Sequence, residues 1–197
     1  MKLDTKKDLE KAIGGLFFMI INTAIWTLIA EYYLENRDNR IVGLFIGFVI
    51  LGFVFFYVRF SKFHKALPDS DVEIKTQEEE KKDKRFLLIF GLEGLGIFLA
   101  KNILVNINHN ELFIPFFALI VGLHFFPLGK IFKRKFDYYM GIWTSAVAII
   151  GLYMIIQKVT TVNIANAIVS ICCAISTISY GIKMVISGQK AITNKGN

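Results

Sequence analysis

Six apolar runs of 17 or more residues, set apart by charged or polar segments, constrain this chain more than any other feature. About 20 residues, at roughly 1.5 Å of helical rise each, cross a hydrocarbon slab of ~30 Å. A lipid bilayer has no water to pair with backbone amides, so such runs cross it as helices. Composition agrees, because 54% hydrophobic and 14% aromatic residues in 197 exceed what the core of a water-soluble domain needs. The sequence therefore predicts an all-α polytopic membrane protein, a six-helix transmembrane bundle. Residues 1–197 read as one transmembrane domain with spans at 12–30, 41–60, 86–106, 112–129, 140–156 and 164–186, and a cytoplasmic loop at 61–85.

The net charge of +7 would suggest nucleic acid as the partner of a soluble protein, but its distribution points elsewhere. Four Lys precede the first run, eight Lys or Arg lie between the second and third (Arg59 to Arg85), four follow the fourth (Lys130, Lys133, Arg134, Lys135) and three end the chain. That places 19 of the 23 Lys and Arg on one side, against Arg37, Arg40, Lys101 and Lys158 on the other. Alternation of this kind is the positive-inside signature and puts both termini in the cytoplasm. Anionic lipid headgroups, not nucleic acid, are then the expected partners of the basic loops. The first run is longer than the core of a signal peptide and is followed by Glu31 to Glu35 without a small-residue cleavage site, so it reads as a retained span.

Within the spans, small and polar residues mark packed faces. Gly43 and Gly47 have the spacing that lets helix backbones approach, and Gly141, Ser145 and Ala148 share one side of span five. Asn163, Ala167, Ser170, Ala174, Thr177 and Gly181 recur at steps of four and three along span six, a seam with heptad spacing. Cys172 and Cys173 are adjacent in that span and read as small packing residues, with no disulfide framework or metal site implied. There is also an internal echo. Gly14 and Asn22 match Gly94 and Asn102 in separation, and the segment 52–56 resembles 122–126.

Glu93 and His124 are the exceptions that carry chemistry. An ionisable group in hydrocarbon costs several kcal/mol unless it is paired, neutralised or wet, so it marks a functional site by default. Glu93 is seven residues, or about 10 Å, inward from Phe86, and His124 on the returning span is roughly 12 Å from the same face. Antiparallel neighbours would thus bring the two to one depth, where they could hold or pass a proton near neutral pH or simply fix helix register. Pro127 removes the N–H that would bond the Leu123 carbonyl, beside His124. Asn22 and Asn102 are candidates either for a polar path outward from Glu93 or for interhelical hydrogen bonds. Lys101, eight residues from Glu93, is too far along the helix to be its partner and is expected to snorkel toward Glu111 or the headgroups. His64 and His109 read as solvated loop residues, and Pro115 as a helix-start proline.

No nucleophile and base pattern, phosphate loop or metal-ligand motif is present, so neither catalysis nor a cofactor is implied. Three classes of function remain. One is a small carrier or channel-like protein for protons, ions or a small solute, built on the Glu93 and His124 site. Another is a non-transporting membrane factor that binds lipid or a protein partner, and the third, with least support, is a lipid-directed enzyme. A homo-oligomer is compatible with six short spans.

The stretch from Gly14 to Trp26, the segment Gly122-Leu-His-Phe-Phe-Pro127 and the following Tyr139 to Gly141 together resemble an uncharacterised family of small bacterial multi-pass membrane proteins with a Gly-x-His-Phe-x-Pro pattern in a mid-chain span. The resemblance implies a bacterial cytoplasmic membrane protein and supports His124 and Pro127 as features of the type. It implies no activity.

Overall fold

The computed structural model describes residues 2–35, 38, 40–67 and 76–193, with side chains from Lys6 onward. Arg37, Lys75 and Lys195 of the charge count, and residues 68–75 of the expected loop, lie outside the described residues. Among the described residues the chain is all-helical: α1 Lys2–Leu34, α2 Ile41–Lys65, α3 Gln77–Asn106, a 3-10 turn Asn110–Leu112, α4 Phe113–Phe132, α5 Lys135–Ile156 and α6 Val162–Thr193. Six of these helices are long and apolar enough to cross a membrane.

Several helices outrun their apolar runs. The expected loop at 61–85 is narrower than predicted at both ends, because α2 continues to Lys65 and α3 begins at Gln77. Phe60 is fully buried and Leu67 nearly so, which gives the end of α2 a packing reason to stay folded past the last apolar turn. At the start of α3, the Thr76 hydroxyl accepts from the Glu79 N–H at 3.4 Å and the Glu79 carboxylate accepts from the Thr76 N–H at 3.2 Å. This capping box satisfies two otherwise unpaired donors, and Glu78, Glu79 and Glu80 complement the positive end of the helix. The connection predicted over Lys130 to Tyr139 shrinks likewise to Lys133 and Arg134.

Three helices end alike and without glycine. Asn108, Lys133 and Lys158 adopt φ of 58°, 53° and 53°. After each, the next residue's N–H returns to a carbonyl inside the helix: His109 to Leu104 at 2.8 Å, Arg134 to Gly129 at 3.0 Å and Val159 to Met154 at 2.9 Å. These are Schellman closures, in which a left-handed residue turns the chain and caps the last carbonyls. A lysine there carries a steric cost of about 1 kcal/mol that glycine would not.

The chain divides into two compact units, residues 1–31, 36–73 and 174–197 in one, and 32–35 and 74–173 in the other. The first unit is built on α1, α2 and the second half of α6. Its core holds Leu9, Leu16, Trp26 and Phe60. Gly181 and Gly188 lie against the rings of Phe53 and Phe60, where an added Cβ would come within 2.5 Å and 2.7 Å of ring carbons. The Thr23 hydroxyl donates to that of Thr177 at 2.8 Å, Thr177 donates to the Ala174 carbonyl at 2.8 Å and Thr27 to the Thr23 carbonyl at 2.6 Å, all buried. Of Gly43 and Gly47, only Gly43 meets another helix, at the Glu31 side chain of α1, 2.8 Å from an added Cβ. Gly43 donates its N–H to the Glu31 carboxylate at 2.6 Å, and Gly47 faces open space.

The second unit is organised on α4, which packs against α3 on one side and α5 on another. Gly122 meets Ser145, whose backbone nitrogen would be 2.7 Å from an added Cβ, and Gly141 meets the Gly122 carbonyl at 3.1 Å. The small-residue face of α5 therefore serves its approach to α4. Farther along, Gly151 admits Pro115, which is buried in the first turn of α4, and Val169 of α6. Of the α6 seam, Ala167, Ser170, Ala174, Thr177 and Gly181 are buried. The echo between the two halves is partial. Asn22 and Asn102 both bond the carbonyl four residues back, and Gly14 and Gly94 are both open, but Gly52 is open where Gly122 is tightly packed.

Candidate functional site

Two polar side chains meet between α3 and α4. Along α3 from Phe86 to Ala100 the only polar side chain is Glu93, and along α4 from Phe113 to Gly129 the only one is His124. The tight turn through Asn108 folds these helices back as antiparallel neighbours, and His124 Nδ1 lies 3.4 Å from Glu93 Oε1. Each side chain keeps 12% of its surface exposed. The contact is close enough for an ion pair but does not make a hydrogen bond, and both His124 Nδ1 and Glu93 Oε2 are buried without a hydrogen-bond partner. Buried polar groups in folded proteins are nearly always satisfied, so two such atoms on facing side chains single this place out.

The surroundings are apolar. The Phe125 ring stacks on the His124 imidazole, with centroids 4.4 Å apart and planes 27° apart. Toward the charged start of α3, Phe86 packs on Phe90 and on Phe132 at 5.6 Å and 6.1 Å between centroids. On the other side, Gly96 faces Ile120, which would be 3.5 Å from an added Cβ. Pro127 lies inside α4 and is exposed, so the Leu123 carbonyl loses its helical donor one residue from His124. In such surroundings the attraction between opposite charges is far stronger than in water, and the cost of an unpaired charge rises with it. The arrangement can hold a proton between a carboxylate and an imidazole, or present one donor and one acceptor to a ligand.

The other candidate residues do not join the pair. Asn102 is nine residues beyond Glu93, which is about 13.5 Å along α3 and half a turn around it. It is exposed and donates to the Phe98 carbonyl at 2.7 Å. Asn22 belongs to the first unit and donates to the Phe18 carbonyl at 2.9 Å. Both amides thus bond within their own helices, as a short amide side chain does when it finds an acceptor in its own preceding turn. Lys101 does extend toward the end of its helix, but its ammonium rests over the Phe113 ring, 4.8 Å from the centroid. Glu111 instead takes His109, at 2.8 Å, so His109 has a companion the sequence did not suggest. His64 is in the last turn of α2, not in a loop, with Nε2 buried.

Three polar contacts in the second unit escaped sequence reasoning. Asp137, fully buried in the first turn of α5, accepts from Arg134 Nε at 3.0 Å, while the guanidinium covers the Phe132 ring at 4.6 Å. The Arg-x-x-Asp spacing was the available signal. Near the other end, Asn163 donates to Glu35 at 2.7 Å and Asn166 bonds Tyr33. Those residues are far apart in sequence, and no local pattern announces them.

No curated protein and no solved structure matches the chain. Residues 87–180, 94 of the 197, match a family of unknown function, DUF7010, and this segment carries Glu93, His124 and Pro127.

Proposed function

We propose that this is a multi-pass protein of the bacterial cytoplasmic membrane, with both termini in the cytoplasm, in which Glu93 and His124 take up and release a proton as part of carrier or channel-like handling of protons or a small solute. The contact of 3.4 Å between a carboxylate and an imidazole, on helical stretches 86–100 and 113–129 that are otherwise apolar, carries this reading. A proton shared by such a pair is the one charge that can be gained or lost there without bringing a counter-ion or hydration shell into hydrocarbon. The basic segments at Lys62 and Lys65, and at Lys130 to Lys135, are proposed to lie at the cytoplasmic surface against anionic headgroups.

The reading is tested by reconstituting the full chain into vesicles loaded with a pH-sensitive dye and imposing a pH step. The native chain should relax the step faster than Glu93→Gln does. Identical traces for the two leave proton handling without support.

A second reading, a non-transporting factor that binds lipid, is favoured by a different observation. Apart from Glu93 and His124 themselves, α3 and α4 offer no polar side chain from Phe86 to Ala100 or from Phe113 to Gly129 that could line an aqueous route. The same vesicle comparison separates the two, because a lipid-binding role predicts no difference between native and Glu93→Gln traces.

A further inference from the structure

We propose that Glu93 and His124 form a binding site for the hydroxyl head of a single-chain amphiphile that reaches it from within the bilayer. The inference rests on α3 and α4 crossing the membrane, as in the function proposed above, but not on proton exchange. Three observations carry it.

The first is where the polar atoms are relative to water. On α3 the nearest charged neighbours of Glu93 are Arg85 and Lys101, eight residues away on either side, or about 12 Å. On α4 the nearest to His124 is Lys130, about 9 Å along the helix. The residues flanking the pair are large, apolar and turned outward: Phe90 is 42% exposed, Leu92 57% and Leu123 52%. A hydrated ion would have to shed its water amid these groups with nothing to replace it, whereas a lipid-dissolved molecule is already there.

The second is what the pair leaves unmet. Glu93 Oε2 has no hydrogen-bond partner, and the His124 imidazole, which also faces the Val121 backbone, approaches Oε1 only to 3.4 Å through Nδ1. A carboxylate oxygen accepts, and an imidazole N–H donates. A hydroxyl group offers one donor and one acceptor on a single oxygen, so once the two side chains part to uncover Oε2 and Nδ1, which are closed off while they touch, it can donate to Glu93 and accept from His124 at once. An ether oxygen offers only the acceptor, and an alkane offers neither.

The third is the backbone beside them. Pro127 leaves the Leu123 carbonyl without its helical N–H, next to His124 and on an exposed stretch of α4. It adds an acceptor for which a second donor on the head group would compete. The alkyl chain would lie along the outward apolar residues of α3 and α4.

The test uses the full chain in lipid nanodiscs and follows thermal unfolding through tryptophan fluorescence. Dodecan-1-ol, 1-methoxydodecane and dodecane are compared at equal mole fraction in the lipid. Dodecan-1-ol should raise the midpoint of the native protein by roughly 5 °C relative to dodecane, as a ligand well above its dissociation constant does, and 1-methoxydodecane by markedly less. The rise should vanish in the double variant Glu93→Leu with His124→Leu. Equal midpoints with all three compounds overturn the proposal, and that comparison needs no variant. A dodecan-1-ol rise that persists undiminished in the double variant overturns it as well. If dodecan-1-ol has no effect while the vesicle traces still separate native from Glu93→Gln, the amphiphile site fails and proton handling stands; the reverse pattern keeps the site and removes proton handling.

Discussion

Two polar clusters, one in each unit, are buried in opposite ways. In the first, Thr23, Thr27 and Thr177 form a closed set in which each hydroxyl hydrogen has an acceptor within 2.8 Å. In the second, Glu93 and His124 approach to 3.4 Å and still leave a carboxylate oxygen and an imidazole nitrogen without a hydrogen bond. Satisfied hydroxyls stabilise a helix contact and have nothing further to offer, as expected of helix packing in an apolar medium. An unsatisfied ionisable pair costs stability, and a cost retained inside a fold is the usual mark of a site. Burial alone does not distinguish these two clusters; what distinguishes them is that the hydroxyls have used up their donors while two facing ionisable side chains have not.

That contrast can be broken most sharply at His124. Replacing it with Leu leaves Glu93 facing hydrocarbon, and the second unit should lose about 3 kcal/mol, read as resistance to proteolysis in nanodiscs. Thr177→Val in the first unit strands only the Thr23 hydroxyl and should cost about 1 kcal/mol by the same measurement. A cost for Thr177→Val equal to that of His124→Leu would erase the distinction. Replacing both members of either pair should be much milder: Thr23→Val with Thr177→Val, and Glu93→Leu with His124→Leu, should each recover to within about 1 kcal/mol of the native chain, because no polar atom is left stranded. The two doubles should then differ in function alone, with the pH response of the vesicles kept in the threonine double and lost in the other. Smallest of all, Asn102→Leu and Asn22→Leu remove amides bonded to their own helices and should change stability by less than about 0.5 kcal/mol and leave the pH response intact.

Most of the helical architecture can be read from the sequence, because a run of apolar residues long enough to cross a bilayer has one economical backbone solution. Helix ends are harder. Lys133 and Lys158 turn the chain in a left-handed conformation where glycine would have been the signal, and Phe60 and Leu67 hold α2 together past its last apolar turn through contacts that no local pattern records. The facing of Glu93 and His124 follows from counting depth on two antiparallel helices, since Glu93 is the lone polar residue from Phe86 to Ala100 and His124 the lone one from Phe113 to Gly129. Asn22 and Asn102 mislead the same reasoning. In mid-helix an amide can be satisfied by its own helix and a carboxylate, with no free N–H in reach, cannot, and spacing alone does not reveal which has happened. Gly47 carries the same lesson for packing motifs: small spacing permits close approach without requiring a neighbour to be there.

The central claim is that Glu93 and His124 share their proton chemistry, and infrared difference spectroscopy of the chain in vesicles across a pH titration tests it most directly. A carboxyl band should disappear in Glu93→Gln, and its titration midpoint should move when His124 is replaced by Phe. A Glu93 band that titrates at the same midpoint with and without the imidazole would contradict it.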